Sequence, residues 1–213
     1  MTERLEKIYS VIPKTKVFAD IGCDHGYIAK KMLDTNKCER AIISDISEKC
    51  LKKAQTLLAD YIEKGVAQSV VSDGFEKLPK VDVALIAGMG GEEICSILTN
   101  ERELPEILVL QPMKNPEKVR MLAIQKGYRI EKDSVFKSAN KFYDLLLLVK
   151  GQDQLTEDEI EFGRDNLNVE NPDFKEKLSI EIGKINEYLK VESISESTKK
   201  TLITKLEKYS KYV

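Results

Sequence analysis

Apolar and polar positions alternate along this chain in blocks. Short runs rich in β-branched residues, Val17 to Ile21, Ala41 to Ser44, Ser69 to Ser72, Val81 to Ala87 and Ile107 to Gln111, are separated by longer segments of helical period. That rhythm predicts an α/β domain built on a mainly parallel sheet. The helix after the second strand is expected to start with Ser47 as its cap and to carry Leu51, Ala54, Leu57, Leu58 and Ile62 on one face. Asn115 followed by Pro116 is a similar start signal, opening a helix that stops at Gly127.

Beyond Gly127 the rhythm changes. "YRIEKDSVFK" and "FYDLLLLVKG" follow one another with only "SAN" between them, so they read as an antiparallel strand pair closing the sheet edge. Seven strands ending in such a pair are the layout of the Rossmann-like class I methyltransferase fold, a variant of the doubly wound sheet. After Gly151 the pattern turns helical. Thr156 with Glu159 forms a capping box, and Leu178, Ile182, Ile185 and Leu189 share a 4-3-4 spacing that Leu202, Leu206 and Tyr209 take up again. The expected organisation is a sheet domain over residues 1–151 and a coiled-coil-like helical hairpin over 152–213. That hairpin is either a packed cap or an arm that grips a large substrate.

Composition narrows the class without naming a function. At 213 residues, 42% apolar and 33% charged, the chain is an ordinary globular protein with room for a sizeable core. The first twenty residues mix charged with apolar positions, unlike a secretory signal, and no later run approaches a membrane span, so a cytosolic protein with no membrane partner is expected. Cys23, Cys38, Cys50 and Cys95 form no CxxC pair and sit near no histidine cluster, which indicates neither a metal site nor a disulfide framework. A net charge of -2 argues mildly against a nucleic-acid partner. Residues 152–213 hold ten basic and fourteen acidic side chains, leaving the rest of the chain slightly basic. A monomer is favoured.

The chemistry concentrates where strands end. From Asp20 the chain reads D-x-G-x-D-x-G, and Asp24 and Tyr27 occupy the second and third glycine positions of the dinucleotide fingerprint. A carboxylate beside a pyrophosphate repels it, whereas S-adenosylmethionine has no phosphate and carries a cationic amine and a sulfonium. Gly22 lets the chain leave the strand tightly, and Gly26 removes a side chain where ligand or helix must approach. Asp45 ends the second strand, where a carboxylate accepts from ribose hydroxyls, and Asp73 with Gly74 ends the third, where an acceptor meets the adenine amino group. Each alone is equally an ordinary cap. "AGMGG", Ala87 to Gly91, suggests backbone close to a ligand; after the fifth strand, Gln111 presents an amide suited to a base edge and Lys114 a charge suited to phosphate. His25, the single histidine, reads more readily as a pocket wall than as a catalyst or metal ligand. Tyr27 and Tyr143 fit either stacking on a base or core packing.

"ADIGCDHGYI", "SDGF", "AGMGGEEI", "LQP" and "KFYDLLLLVKG" resemble, in order and spacing, the bacterial tRNA (adenine-22-N1)-methyltransferase family, and the likeness runs the length of the chain. It implies a cytosolic enzyme that moves the methyl group of S-adenosylmethionine to N1 of an adenine in the D arm of tRNA. Residue reading and resemblance together make Asp20, Gly22, Asp24, His25, Gly26, Asp45, Ile46, Asp73, Gly74, Gly88, Met89 and Gly90 the cofactor site. Gln111, Met89 and Tyr27 position the substrate, with no general base. Three positions depart from the family pattern: Met113 replaces the Asn of QPN, Asp45 replaces a frequent Glu, and Arg164 follows Gly163 where relatives tend to have Pro. Two rivals stay open, a methyltransferase for a small molecule or protein and a catalytically silent RNA-binding protein of the same fold.

Overall fold

In the computed structural model, which describes residues 1–100, 103–191 and 193–213, the predicted strands assemble into one sheet. Among the described residues these are β1 (Thr15–Ile21), β2 (Cys38–Asp45), β3 (Ala67–Val71), β4 (Val83–Met89), β5 (Ile107–Pro112), β6 (Tyr128–Ser138) and β7 (Lys141–Lys150). Their order is β3-β2-β1-β4-β5-β7-β6. β7 lies antiparallel to both β5 and β6, so it alone is reversed. Parallel neighbours need a crossover, which helices α2 (Tyr27–Asp34), α3 (Glu48–Leu57) and α5 (Gly91–Asn100) supply, while α6 (Pro116–Gln125) carries the chain from β5 past the place of β7 to β6.

The strands are buried on both faces. Phe18 of β1 enters one core while Ala19 and Ile21 enter the other, and Val83 and Leu85 of β4 alternate with Ala84 and Ile86 in the same way. Helix α1 (Glu3–Val11) covers the first face through buried Ile8, together with α2 and α3, while α5 and α6 cover the second. Burying one such aliphatic side chain contributes about 1.5–3 kcal/mol.

Two details differ from the expectation. The helix capped by Ser47 forms, with the hydroxyl accepting from the Cys50 amide, but it breaks at Leu58 and resumes as α4 (Ala59–Glu63). The break lets Leu58 join Leu51 and Ala54 in the core while Ile62 packs from the second helix. Asn115 takes a left-handed conformation (φ 52°) and its side chain caps nothing, so Pro116 alone opens α6.

After β7 come α7 (Glu157–Phe162), whose Thr156–Glu159 capping box is present, α8 (Arg164–Asn168), α9 (Pro172–Leu189) and α10 (Glu196–Ser210). All seven residues of the expected hairpin seam share one apolar cluster with Phe162 of α7 and Phe174 of α9, which Val135 of β6 and Phe142 of β7 join from the sheet. What docks this segment on the sheet is partly polar. β6 is an edge strand, and its outward amides are taken by side chains: Asp133 N–H by Asp165, Val135 by Asn166 and Lys137 by Asp173, each at 2.9 Å. An edge so covered offers no unpaired row to another chain. Behind it, fully buried Arg120 makes a forked pair with Asp133 (2.8 Å twice), reaches Asp144 at 2.7 Å and donates to the Ile160 carbonyl at 3.1 Å. Lys177 of α9 also bonds Asp144, at 3.1 Å. Arg164, the departure after Gly163, clasps Asp153 and Glu159. No helix among the described residues is long and apolar enough to cross a membrane.

Candidate functional site

The strand order reverses between β1 and β4, and a crevice at such a point, outside the carboxyl ends of the strands, is where a doubly wound sheet receives a ligand. The turn after β1 borders it. Gly22 has φ 68° and donates to the Ser44 carbonyl at 2.8 Å, and a Cβ there would lie 2.0 Å from Met89 Cε. The left-handed φ is what favours glycine here, since the Met89 methyl could swing away from a side chain at this position. At Gly26 the close neighbours are Leu58 and Ala54, so that glycine serves the packing of α2 on the α3–α4 break. Burial pushes the Asp20 carboxyl up to about 7, against the opposing hydrogen bond from the Ala29 amide. The Cys23 thiol is pushed up as well, by burial and then by Asp20 and Asp45. Asp24 turns outward to Lys53 (3.0 Å) and His25 Nδ1 (2.6 Å), and the Lys53 bond holds its carboxyl below the ordinary value. His25 stacks on Tyr27, ring centres 5.3 Å apart.

A cavity of about 250 Å³ opens beside this turn. Of the expected cofactor residues, Gly22, Asp45, Ile46, Asp73, Gly74 and Met89 line it, whereas Asp20, Asp24, His25, Gly26, Gly88 and Gly90 are not among its walls. Asp45 is oriented by the Ser47 amide, which donates to Oδ1 at 2.8 Å. Three carboxylates, Asp45, Asp73 and Glu93, face the space together with apolar Ile21, Ile46, Met89 and Ile97, and no lysine or arginine does. Acceptors suit hydroxyl and amino groups, apolar walls suit an aromatic ring, and uncompensated negative charge disfavours phosphate. The set of acceptors therefore fits an adenosine group without phosphates. A larger cavity of about 510 Å³, lined by Val81, Asp82, Leu104 and Pro105, lies at the amino end of β4 and borders neither the glycine turn nor the strand-end acids.

Sequence reading missed the wall formed by Glu93, Ser96 and Ile97 on α5. Its signal was available: α5 begins at Gly91, and positions 93, 96 and 97 share one helical face. It also missed Arg4. Helix α1, capped by Thr2, brings Arg4 to the end of β5, where its Nε donates to Gln111 Oε1 at 2.8 Å. Gln111 is fully buried and so held, while Met113 and Lys114 are exposed. β4 bulges between Ala87 and Met89, and its end is tied to the next loop by Met113 N–H to the Met89 carbonyl and Gly91 N–H to the Lys114 carbonyl, both 2.8 Å.

A ligand crevice of this chemistry at the switch point of such a sheet defines a methyltransferase domain of the Rossmann type. Comparison with known proteins agrees: the family described as "Methyltransferase domain" matches residues 1–146. A Mycoplasma pneumoniae protein, provisionally assigned as a tRNA methyltransferase, is 32% identical over 172 residues, 76% of this chain and 79% of its own. The Bacillus subtilis tRNA (adenine(22)-N(1))-methyltransferase is 29% identical over 160 residues, covering 71% of this chain and 66% of its own. M. capricolum TrmK, solved with the cofactor product S-adenosyl-homocysteine, superposes with TM-score 0.90 at 25% identity, covering 100% of this chain and 97% of that one. The chain belongs to this methyltransferase domain family, and over most of its length it is similar to the tRNA (adenine-22-N1)-methyltransferases.

Proposed function

We propose that this protein transfers the methyl group of S-adenosylmethionine to N1 of adenine 22 in the D arm of tRNA, with residues 152–213 as the arm that grips the RNA. The observation that carries the reading is the cavity at the β1–β4 switch point, where Asp45, Asp73 and Glu93 meet apolar walls and no cation. S-Adenosylmethionine supplies an electrophilic methyl group on a sulfonium. Asp45 accepts from the ribose hydroxyls and Asp73 from the adenine amine, while Ile46, Met89 and Ile97 enclose the ring. For the acceptor, adenine N1 carries an in-plane lone pair and is unprotonated near neutral pH, so no side chain has to remove a proton. The chain's work is alignment: an unstacked base held against the end of β4 and β5, a kind of positioning worth several kcal/mol. Support for the arm comes from α10, which exposes Lys199, Lys200 and Lys205 against two acidic residues, Glu196 and Glu207. The enzyme acts as a monomer in the cytosol.

The test is direct. Unmodified tRNA is incubated with protein and S-adenosylmethionine, digested, and analysed by mass spectrometry for 1-methyladenosine, beside a tRNA carrying guanine at position 22. Methylation of the first and not the second is expected; methylation of neither, or of both alike, refutes the assignment.

A further inference from the structure

Arg4 does something that a helix-capping or surface arginine does not. Its Nε and Nη2 both donate to the single acceptor Gln111 Oε1, at 2.8 and 2.5 Å, across 107 residues of sequence. Its guanidinium carbon lies 5.3 Å from the centre of the Tyr143 ring, and a Cβ on Gly88 would come within 3.0 Å of Nη2. Three strand ends thus enclose it: β4 at Gly88, β5 at Gln111 and β7 at Tyr143. A guanidinium has donors and no acceptor, so only the amide oxygen of Gln111 can face it. The amide nitrogen is forced to the opposite side, where it donates to the Pro112 carbonyl at 3.0 Å and to the Met113 sulfur at 3.5 Å. A thioether is a weak acceptor, and Met113 is 44% exposed while Gln111 is fully buried, so the second N–H lies beneath a loosely bonded, solvent-facing side chain that an entering nucleobase has to displace.

We propose that Arg4 is a positioning residue for the methyl acceptor: it locks the Gln111 amide with its N–H group, rather than its oxygen, turned toward the base. This rests on the methyltransferase reading above. When the base enters, a ring nitrogen other than N1 replaces the Met113 sulfur on that N–H, which fixes the ring and leaves the N1 lone pair free for the methyl carbon. Arg4 itself touches neither the cofactor pocket nor the reacting atoms.

The experiment is single-turnover methylation of unmodified tRNA at saturating S-adenosylmethionine and tRNA, with the affinity for each measured separately. Arg4→Met is expected to slow the step by about 20-fold or more while both affinities stay within about threefold, and Arg4→Lys to recover part of the rate. Gln111→Glu keeps a partner for Arg4 but lacks the N–H donor, and is expected to be as slow as Arg4→Met. The Arg4→Met/Gln111→Met double variant should be no slower than its slower single, because the two residues act as one unit. Three results would overturn the proposal in an enzyme that is otherwise active: an Arg4→Met rate within about threefold of wild type, losses that multiply in the double variant, or a loss confined to tRNA affinity with a shallower salt slope, which would put Arg4 on a phosphate. Should Arg4→Met fail to fold, Arg4→Lys and Gln111→Glu decide the matter alone. No 1-methyladenosine from the wild-type protein would instead refute the functional reading on which this one stands.

Discussion

Replacing Arg120 by methionine tests what fastens the helical segment to the sheet. The guanidinium is fully buried between Asp133 and Asp144 and also holds the carbonyls of Ile160 and Glu161. Burial works against every charge in this cluster. It leaves Asp133 above its ordinary value despite the pull of Arg120, while Asp144, also buried, is held below its own by Arg120 and Lys177 together. Methionine fills much of the volume but strands Asp133 and leaves Asp144 with Lys177 alone, and breaking a buried pair in this way costs about 3–5 kcal/mol, with about 1 kcal/mol more for the lost carbonyl bonds. Against a typical total of 5–15 kcal/mol, that is a large fraction, and a fall in Tm of roughly 10–20 °C is expected. The loss should depend on pH with a definite sign. Without Arg120 the Asp133 carboxyl, already raised by burial, loses the pull that opposed it and titrates still higher in the fold than in the unfolded chain, so the native state binds more protons as Asp133 titrates and the variant's stability falls as pH rises. That carboxyl contributes about 1.4 kcal/mol per pH unit at most while it titrates. Urea unfolding of both proteins at pH 5.5 and 7.5 measures the difference. A deficit under about 1 kcal/mol, or one that grows on acidification, would refute the account of Arg120 as counter-ion to a buried acidic pair.

Four further outcomes are expected. Asp45→Ala should weaken S-adenosylmethionine binding by about 1.5–3 kcal/mol in calorimetry, and unchanged affinity would remove Asp45 from the site. With its carboxyl pushed up to about 7, Asp20 is mostly neutral at pH 6 and ionised at pH 8. A cationic ligand therefore binds up to about tenfold more tightly at the higher pH, and Asp20→Asn should flatten that dependence. At saturating S-adenosylmethionine the single-turnover methylation rate should be nearly flat from about pH 6.5 to 9 and survive His25→Ala; a tenfold climb per pH unit abolished by that substitution would show that a base is required. Lys199→Glu with Lys200→Glu should weaken tRNA binding and reduce its salt slope by about 2 without altering cofactor affinity, and an unchanged slope would take α10 off the RNA.

The strand ends were readable from the chain because each lies at the close of an apolar run, and in a doubly wound sheet all such ends share one edge. Gly22, Asp45 and Asp73 could be placed at one crevice from spacing alone, and they do line one cavity. The hairpin seam was readable for a similar reason, since helical period is a local property and names the buried face whatever that face meets. The partners of those faces were not local. Nothing near Gln111 in sequence announces Arg4, which arrives only because Ile8 anchors α1 on the sheet. Asp24, expected beside the ligand, turns to Lys53 of α3 because a lysine across the turn offers it a charge partner at 3.0 Å. The amides of β6 find Asp165, Asn166 and Asp173 because the end strand of an open sheet leaves every second N–H unpaired and the chain that follows is the first to reach them. Period and strand-end chemistry are written within a few residues, whereas the pairing of charges and amides depends on which surfaces the packed core brings together.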